Sequence, residues 1–249
     1  MNNGVSVAHL EQSVGNEGSV AKPKKWGERL LKVLLIVGVS LAALFIVASL
    51  TWRFSGSNQW EFVEERNGVK VYSLKAPGSD LMQVKGIVQI RSTLAGPVKF
   101  MQDPDGCNDV GCHESKMIER VDDQLQYYSF RFDKPFPFRP REYVVRLQVH
   151  QDPRTKEVLV VFAAAPDKAP PNNCCFRVTE MNNTWRLTPL ENGRIEVEFV
   201  QNSHMGGFMS DLKENMQRPK SMVDTLSYLQ DFLVRKKYQD AKLDFIKEK

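Results

Sequence analysis

The sequence of 249 residues contains little histidine and little cysteine, four residues of each. The histidines are dispersed, and the chain has no G-x-S-x-G, H-E-x-x-H, P-loop or dinucleotide-binding motif. Cys107, Cys112 and His113 lack a fourth partner at a spacing that zinc sites use. We therefore predict no catalytic residues, no metal and no cofactor.

The chain also has little net charge, +4 overall. Residues 1–53 account for +3 of this charge, and the remainder holds 28 basic and 27 acidic residues. A nearly neutral domain lacks the basic surface that nucleic-acid binding requires, so we predict no nucleic-acid partner. The sequence identifies no protein partner.

Charged residues are absent from one long stretch, Val33 to Leu50, which reads VLLIVGVSLAALFIVASL. At a rise of ~1.5 Å per residue, its eighteen residues nearly span a bilayer core of ~30 Å. A buried core helix would show a polar face, and a cleaved signal peptide would have a shorter apolar region. We therefore predict a transmembrane helix over residues 31–53.

The charges that flank this helix predict its orientation. Before it lie five basic residues against the single acid Glu28: Lys22, Lys24, Lys25, Arg29 and Lys32. The positive-inside rule then places the N-terminus in the cytoplasm and the C-terminal domain on the exported, periplasmic side of a single-pass protein. Residues 1–30, which begin with an Asn-, Gly- and Ser-rich stretch, are predicted to be a disordered cytoplasmic tail.

The predicted topology exposes the four cysteines to an oxidising compartment. Four cysteines allow three pairings, which the sequence does not distinguish. A bridge between Cys107 and Cys112 would close a small loop and is the favoured pairing. A bond between the adjacent Cys174 and Cys175 would strain the peptide that joins them.

The remaining chain, residues 57–240, is predicted to form one domain. We expect short helices over 59–66 and 97–102, and strands between turn signals such as Asn182-Asn183. The expected strands cover 69–72, 84–91, 115–121, 125–133, 142–150, 157–165, 176–179, 183–189 and 194–202. Sequential strands joined by short turns predict antiparallel pairing.

Alternation along these strands predicts a sheet with one apolar and one solvated face. In 142–150 and 194–202, apolar side chains share one face: Tyr143, Val145, Leu147, Val149, Ile195, Val197 and Phe199. A C-terminal helix with Ser210 as N-cap offers a cover, because apolar residues recur in it at helical spacing: Met222, Leu226, Leu229 and Leu233. Pro219 is expected to kink or divide this helix.

We infer an α+β fold in which a curved antiparallel sheet wraps around one long C-terminal helix. A single helix leaves a gap that either packs solid or encloses a cavity suited to apolar ligands. Bulky and small residues alternate at inward positions, and flexible methionines cluster near the helix. The residues alone leave both alternatives open.

Five motifs occur in order along the domain. They are GVKVYS at 68–73, KGIVQI at 85–90, a proline stretch leading to Arg141-Glu142-Tyr143-Val144, WRLTP at 185–189, and GFMSDLKEN at 207–215. Over residues 57–237 the chain resembles the START (StAR-related lipid-transfer) family. It departs from the family pattern at Gly111–His113, where a tryptophan is absent, at Ser210, which replaces a proline, and at Glu142, which replaces an aspartate.

The resemblance implies a helix-grip fold with an internal tunnel that holds one lipid or sterol-like ligand. It also implies a lid formed by the C-terminal helix and an omega-like loop at 166–175. The candidate tunnel and lid residues are Phe130, Phe132, Tyr143, Val145, Leu147, Phe162, Phe199, Met205, Met209, Leu212 and Met216. Arg131 is a polar tunnel candidate if its face of the strand points inward, and a solvated surface charge if Phe130 and Phe132 point inward instead.

These observations favour a non-enzymatic lipid-binding or lipid-transfer domain tethered to a membrane. One alternative is a cyclase- or hydrolase-like enzyme on the same scaffold, which would need convergent polar groups deep in the pocket. Another is a structural or sensory ectodomain with a filled core. A structure without an internal cavity would favour the last.

Overall fold

The computed structural model describes residues 25–170, 172–206 and 211–249, and the chain divides into two compact units at Ser49 and Leu50. Helix α1 covers Lys25–Phe54. By length and composition it is apolar enough to cross a membrane, and none of its apolar window is buried against protein. This exposure argues against the core-helix interpretation of the apolar stretch.

The second unit is built around a sheet. Its strands are β1 Glu61–Arg66, β2 Val69–Leu74, β3 Gln83–Arg91, β4 Cys112–Arg120, β5 Leu125–Phe132, β6 Arg141–Gln151, β7 Val158–Ala164, β8 Phe176–Arg177, β9 Glu180–Pro189, β10 Arg194–Gln201 and β11 Ser203–His204. The order across the sheet is β1-β2-β3-β10-β9-β7-β6-β5-β4, with β11 paired to β9 and β8 to β6. All pairs are antiparallel except the short β6–β8 pair.

The predicted helix over 59–66 is wrong, because Glu61–Arg66 is an edge strand paired with β2. Asn67 and Gly68 join the two strands with φ of 54° and 74°. Positive φ at both central residues is typical of a type I′ hairpin, for which Asn-Gly is a strong sequence signal. The Asn-Gly pair therefore marks a hairpin turn and not a helix end.

A second turn assignment is also wrong. Asn182 and Asn183 lie within β9, which begins at Glu180. The side-chain oxygen of Asn183 accepts a hydrogen bond from the backbone N–H of Asn202 at 2.8 Å, and β9 pairs there with both β7 and β11. Pairing with neighbouring strands outweighs the local turn preference of the two asparagines.

The helices of this unit are α2 Ala95–Met101, α3 Gly106–Asp109, α4 Asp211–Leu233 and α5 Lys236–Gln239, with a 3-10 turn at Pro166–Lys168. Helix α4 buries the predicted stripe of Met222, Leu226, Leu229 and Leu233 against the sheet. Pro219 lies inside α4 without dividing it, and the predicted N-cap Ser210 lies outside the described residues. The long helix on a large antiparallel sheet confirms the predicted fold class.

The helix meets the sheet most closely at Gly86 of β3. A Cβ atom at this position would lie 2.5 Å from Leu226 Cδ1 and 2.7 Å from Met222 Cγ. Real side chains do not approach this closely, so a glycine is needed for the observed separation of α4 from β3.

The cysteines form two bridges, Cys107–Cys112 and Cys174–Cys175. The first is the pairing that the sequence favoured. The second joins adjacent residues, which the sequence argument considered strained.

Candidate ligand-binding cavity

A cavity of ≈ 380 Å³ lies within the second unit, bounded by strands of the sheet, by the segment 100–112 and by α4. Seventeen of its 25 lining residues are apolar, aromatic or glycine. They are Phe100, Met101, Pro104, Gly106, Cys107, Val110, Cys112, Tyr128, Phe130, Phe132, Tyr143, Phe162, Met181, Trp185, Phe199, Met205 and Leu229. A structure with such a cavity argues against the filled-core alternative.

Stacked aromatic rings form two parts of the cavity wall. Phe130 on β5 stacks on Tyr143 of the neighbouring β6, with ring centroids 5.2 Å apart, and Phe132 meets Tyr143 edge-on at 5.7 Å. On β9 and β10, Trp185 and Phe199 are cross-strand partners whose centroids are 3.8 Å apart. Inward-facing alternation on paired strands brings these rings together.

Polar lining residues are fewer: Asp103, Ser115, Lys134, Asn183, Gln201, Ser203, Ser221 and Thr225. Burial raises the pKa of Tyr143 to about 12, so its hydroxyl stays protonated at neutral pH. Burial lowers the pKa of Lys134 below its ordinary value, an effect that the nearby Arg141 reinforces and Glu214 opposes. The cavity thus combines an apolar wall with a few hydrogen-bonding groups.

The N-terminal half of α4 is held to the sheet by buried polar side chains. Asn215 accepts a hydrogen bond from the N–H of Met82 and donates to the carbonyl of Asp80, both at 2.9 Å. Arg218 donates to the carbonyl of Met82 at 3.0 Å and to that of Ser203, and it forms a buried ion pair with Glu214. We call Glu214, Asn215 and Arg218 the polar clasp.

The proline stretch before β6 is anchored through Arg141, which is 2% exposed. Its guanidinium donates to the carbonyl oxygens of Met205 at 2.8 Å, Gly206 at 2.9 Å and Arg139 at 2.6 Å. Arg141 therefore fixes the start of β6 to the segment that follows β11, through backbone hydrogen bonds and not through a salt bridge.

The loop over 166–175 is attached to β6 through Arg177 and Glu142. The two side chains form an ion pair at 2.8 Å. Arg177 also donates to the carbonyl oxygens of Pro166, Ala169 and Pro170 at 2.7–2.9 Å. Glu142 is buried because Arg177 and the loop cover it.

A larger cleft of ≈ 600 Å³ lies beside the polar clasp. Its lining includes the charged or titratable residues Asp80, Glu180, His204, Asp211 and Arg218. Such a lining is poorly suited to an apolar ligand, because desolvating these groups costs free energy. The smaller cavity is therefore the better candidate site.

Six of the candidate site residues line the cavity: Phe130, Phe132, Tyr143, Phe162, Phe199 and Met205. Val145 and Leu147 face the same side of the sheet but are buried in the core away from the lining. Arg131 points to the other face of β5, where it pairs with Glu114, so it is the surface charge of the two alternatives. Met209 lies outside the described residues.

Leu212 and Met216 are corrections to the predicted lining, because they are 65% and 75% exposed. They lie on the outer side of α4, since the inner side at this level is occupied by the polar clasp. The apolar stripe of the C-terminal half therefore does not extend to the first turns of the helix.

Sequence reasoning missed several lining residues, notably Lys134, Trp185 and Thr225. Trp185 belongs to the WRLTP motif and lies two positions before the apolar Leu187. This spacing places both side chains on one face of a strand, so the sequence did indicate that Trp185 faces inward. Lys134 precedes the proline stretch in FDKPFPFRP, where no periodicity indicates the direction of a side chain.

Among the described residues, no three His, Cys, Asp or Glu side chains are grouped so that they could hold a metal ion. Cys107 and Cys112, near His113, are joined to each other.

Known structures with this arrangement of sheet and helix include StAR-related lipid-transfer domains. A lipid-transfer protein of Xanthomonas axonopodis matches with a TM-score of 0.66 and 21% identity, over 71% of this chain and 99% of that one. The lipid transfer and protein localization domain of human StarD13 matches with a TM-score of 0.59 and 13% identity, over 82% and 96% of the respective chains. The globular unit therefore has the START helix-grip fold, as the sequence motifs suggested.

Among curated proteins, the chain is similar to the uncharacterized protein PA1579 of Pseudomonas aeruginosa. The two are 25% identical over 181 residues, which is 71% of this chain and 86% of that protein. No protein-family model matches the sequence.

Proposed function

We propose that this protein is a membrane-anchored lipid-binding and lipid-transfer protein that holds one hydrophobic ligand, a lipid or a sterol-like molecule, in the cavity beneath α4. The observation that carries the proposal is the cavity wall of stacked aromatic and other apolar side chains. Each CH₂ group of a ligand that the cavity buries would contribute about 0.8 kcal/mol to the free energy of binding. Burial of an apolar chain would therefore account for affinity without a metal or a covalent bond to the ligand.

Ligand exchange in this proposal proceeds by movement of α4 and of the 166–175 loop. The contacts of the loop and of the N-terminal half of α4 support such a lid, whereas the apolar stripe holds the C-terminal half of the helix. The polar clasp and Arg177 bind mainly through hydrogen bonds to backbone carbonyls. Water can replace these bonds when an element lifts, whereas a wholly apolar contact would be exposed at full cost.

Helix α1 anchors the domain in this proposal, with the N-terminus in the cytoplasm and the cavity on the periplasmic side. The basic residues before the apolar stretch 33–50 and the nearly neutral domain after it support this orientation. Both disulfides suit an oxidising compartment.

Native mass spectrometry of the full-length protein, extracted gently from membranes, tests the binding step. We expect one co-purifying lipid per chain, chemically unaltered after prolonged incubation. Transfer of a fluorescent lipid between vesicles tests the second step, with the protein reconstituted in the donor vesicles.

Thr225→Trp is the matched perturbation, because Thr225 lines the cavity from α4 and a larger side chain would fill it. Gln217→Trp on the exposed side of the same helix is the control. Absence of bound lipid and of transfer in the wild-type protein would overturn the proposal, and chemical conversion of the ligand would favour the enzyme alternative.

A further inference from the structure

The cavity lining contains two charged side chains among the described residues, Asp103 and Lys134. In a site that is otherwise apolar or neutral, each charge needs a counter-charge or water. The surroundings of the two side chains differ in this respect.

Asp103 has partners within the protein. Its carboxylate forms an ion pair with Lys237 and accepts a hydrogen bond from the Tyr238 hydroxyl at 3.0 Å. Burial raises the pKa of Asp103, but these hydrogen bonds outweigh burial, so the pKa is lowered overall. The charge of Asp103 is therefore satisfied without a ligand.

Lys134 is different. Across residues 25–170, 172–206 and 211–249, no hydrogen-bond acceptor or carboxylate is within bonding distance of its ammonium group. The carboxylate of Glu214 is near enough to influence Lys134 but is already paired with Arg218. Arg141, the other charge near Lys134, has the same sign. The half-buried Lys134 thus lies at the cavity wall near one acid that is already paired, Glu214, and near a second cation, Arg141.

We propose that Lys134 binds the anionic head group, a carboxylate or a phosphate, of a single-chain amphiphile whose apolar chain lies against the aromatic wall. This inference rests on the proposed function and specifies its ligand class. A volume of ≈ 380 Å³ lies near the lower end of the range of about 300–1,000 Å³ for small-molecule sites, which fits one chain. The part of the aromatic wall that is closest to Lys134 in sequence lies on β5 and β6. It consists of the rings of Phe130, Phe132 and Tyr143, which contact one another.

The test compares head groups on an identical chain. The full-length protein in nanodiscs of neutral lipid is loaded with a fluorescent uncharged lipid probe, which is then displaced by hexadecanoate, hexadecyl phosphate or hexadecanol. Empty nanodiscs correct for partitioning into the bilayer. We expect one or both anions to displace the probe about tenfold more effectively than the alcohol, because the ammonium can donate a hydrogen bond to all three head groups but attracts only the anions by charge. The anion that is preferred identifies the head group.

Three variants assign the preference to a residue. Lys134→Gln should abolish the preference by weakening the binding of both anions to the level of hexadecanol, and Lys134→Arg should retain it. Lys116→Gln is the matched control, since Lys116 is an exposed lysine next to the lining residue Ser115 on β4.

Equal displacement by all three amphiphiles, or a preference that survives in Lys134→Gln, would overturn the inference and leave the proposed function intact. Failure of every amphiphile and of the probe to bind would overturn both.

Discussion

The polar clasp makes a quantitative prediction about what holds α4 to the sheet. Glu214 and Arg218 form an ion pair whose side chains are 5% and 4% exposed. Replacing Arg218 with Met leaves the Glu214 carboxylate buried without its partner. Removing one member of a buried pair costs about 3–5 kcal/mol, so Arg218→Met should lower the free energy of unfolding by that amount.

A second substitution separates the charge from the remaining contacts. In Glu214→Gln/Arg218→Met no charge is left unpaired, and the losses are the donors to the carbonyls of Met82 and Ser203. At about 1 kcal/mol for each, the double variant should be destabilised by about 2 kcal/mol. It should therefore be more stable than Arg218→Met alone.

Urea unfolding of the full-length protein in a mild non-ionic detergent, followed by tryptophan fluorescence, measures these values. Lys220→Met on the exposed side of α4 is the control and should change stability by less than about 0.5 kcal/mol. The reasoning is refuted if Arg218→Met unfolds like the wild type, or if the double variant is less stable than Arg218→Met.

Two further predictions concern the segment 100–112 and its neighbours. Cys107→Ala/Cys112→Ala should lower the free energy of unfolding by about 2 kcal/mol, because this bridge joins cysteines five positions apart and so restricts a loop in the unfolded chain. Cys174→Ala/Cys175→Ala should lower it by less than about 1 kcal/mol, because the second bridge joins adjacent residues. Denaturant midpoints measured without reductant test this order, and a larger loss in the second pair would contradict it. Asp103 has a lowered pKa in the folded protein, so its contribution is present above its unfolded pKa of ~3.9 and is lost as pH falls further. The stability difference between wild type and Asp103→Asn should therefore shrink below about pH 4 in acid titrations, and a difference that grows there would show that the sign is wrong.

Much of the sheet was predictable because alternation with period two reports directly which side chains face inward. In β6 and β10 the apolar positions Tyr143, Val145, Ile195 and Val197 are all buried, as predicted. In β5, alternation put Phe130 and Phe132 on one face and Arg131 on the other without deciding which face points inward; in the structure Phe130 and Phe132 line the cavity. Local signals failed where pairing with another strand decided the conformation, as in β1 and at the start of β9.

The polar clasp was not predictable from local pattern. Asn215 and Arg218 are buried because they bond to Asp80, Met82 and Ser203, and Asp80 and Met82 are more than 130 positions away in sequence. Glu214 is buried with its partner Arg218. Without those partners the sequence suggests solvent exposure for charged residues and burial for Leu212 and Met216. The environment of Lys134 depends on the same kind of information: within the described part of the chain it has no ion-pair partner, and Glu214, whose charge acts on it, pairs with Arg218 instead.

The close contact at Gly86 bears on how α4 would move if it acts as the proposed lid. Leu226 and Met222 rest directly on the backbone of β3 in the middle of α4, with apolar packing beyond them and the polar clasp before them. This contact would act as a pivot if α4 moved as a rigid body. The clasp end would then move away from the sheet while the end at Leu233 moved toward it. Ser221 and Thr225, above the cavity, lie close to the pivot, whereas the clasp lies farther from it. A small displacement above the cavity then corresponds to a larger displacement at Asn215, and a spectroscopic label is most informative at that end.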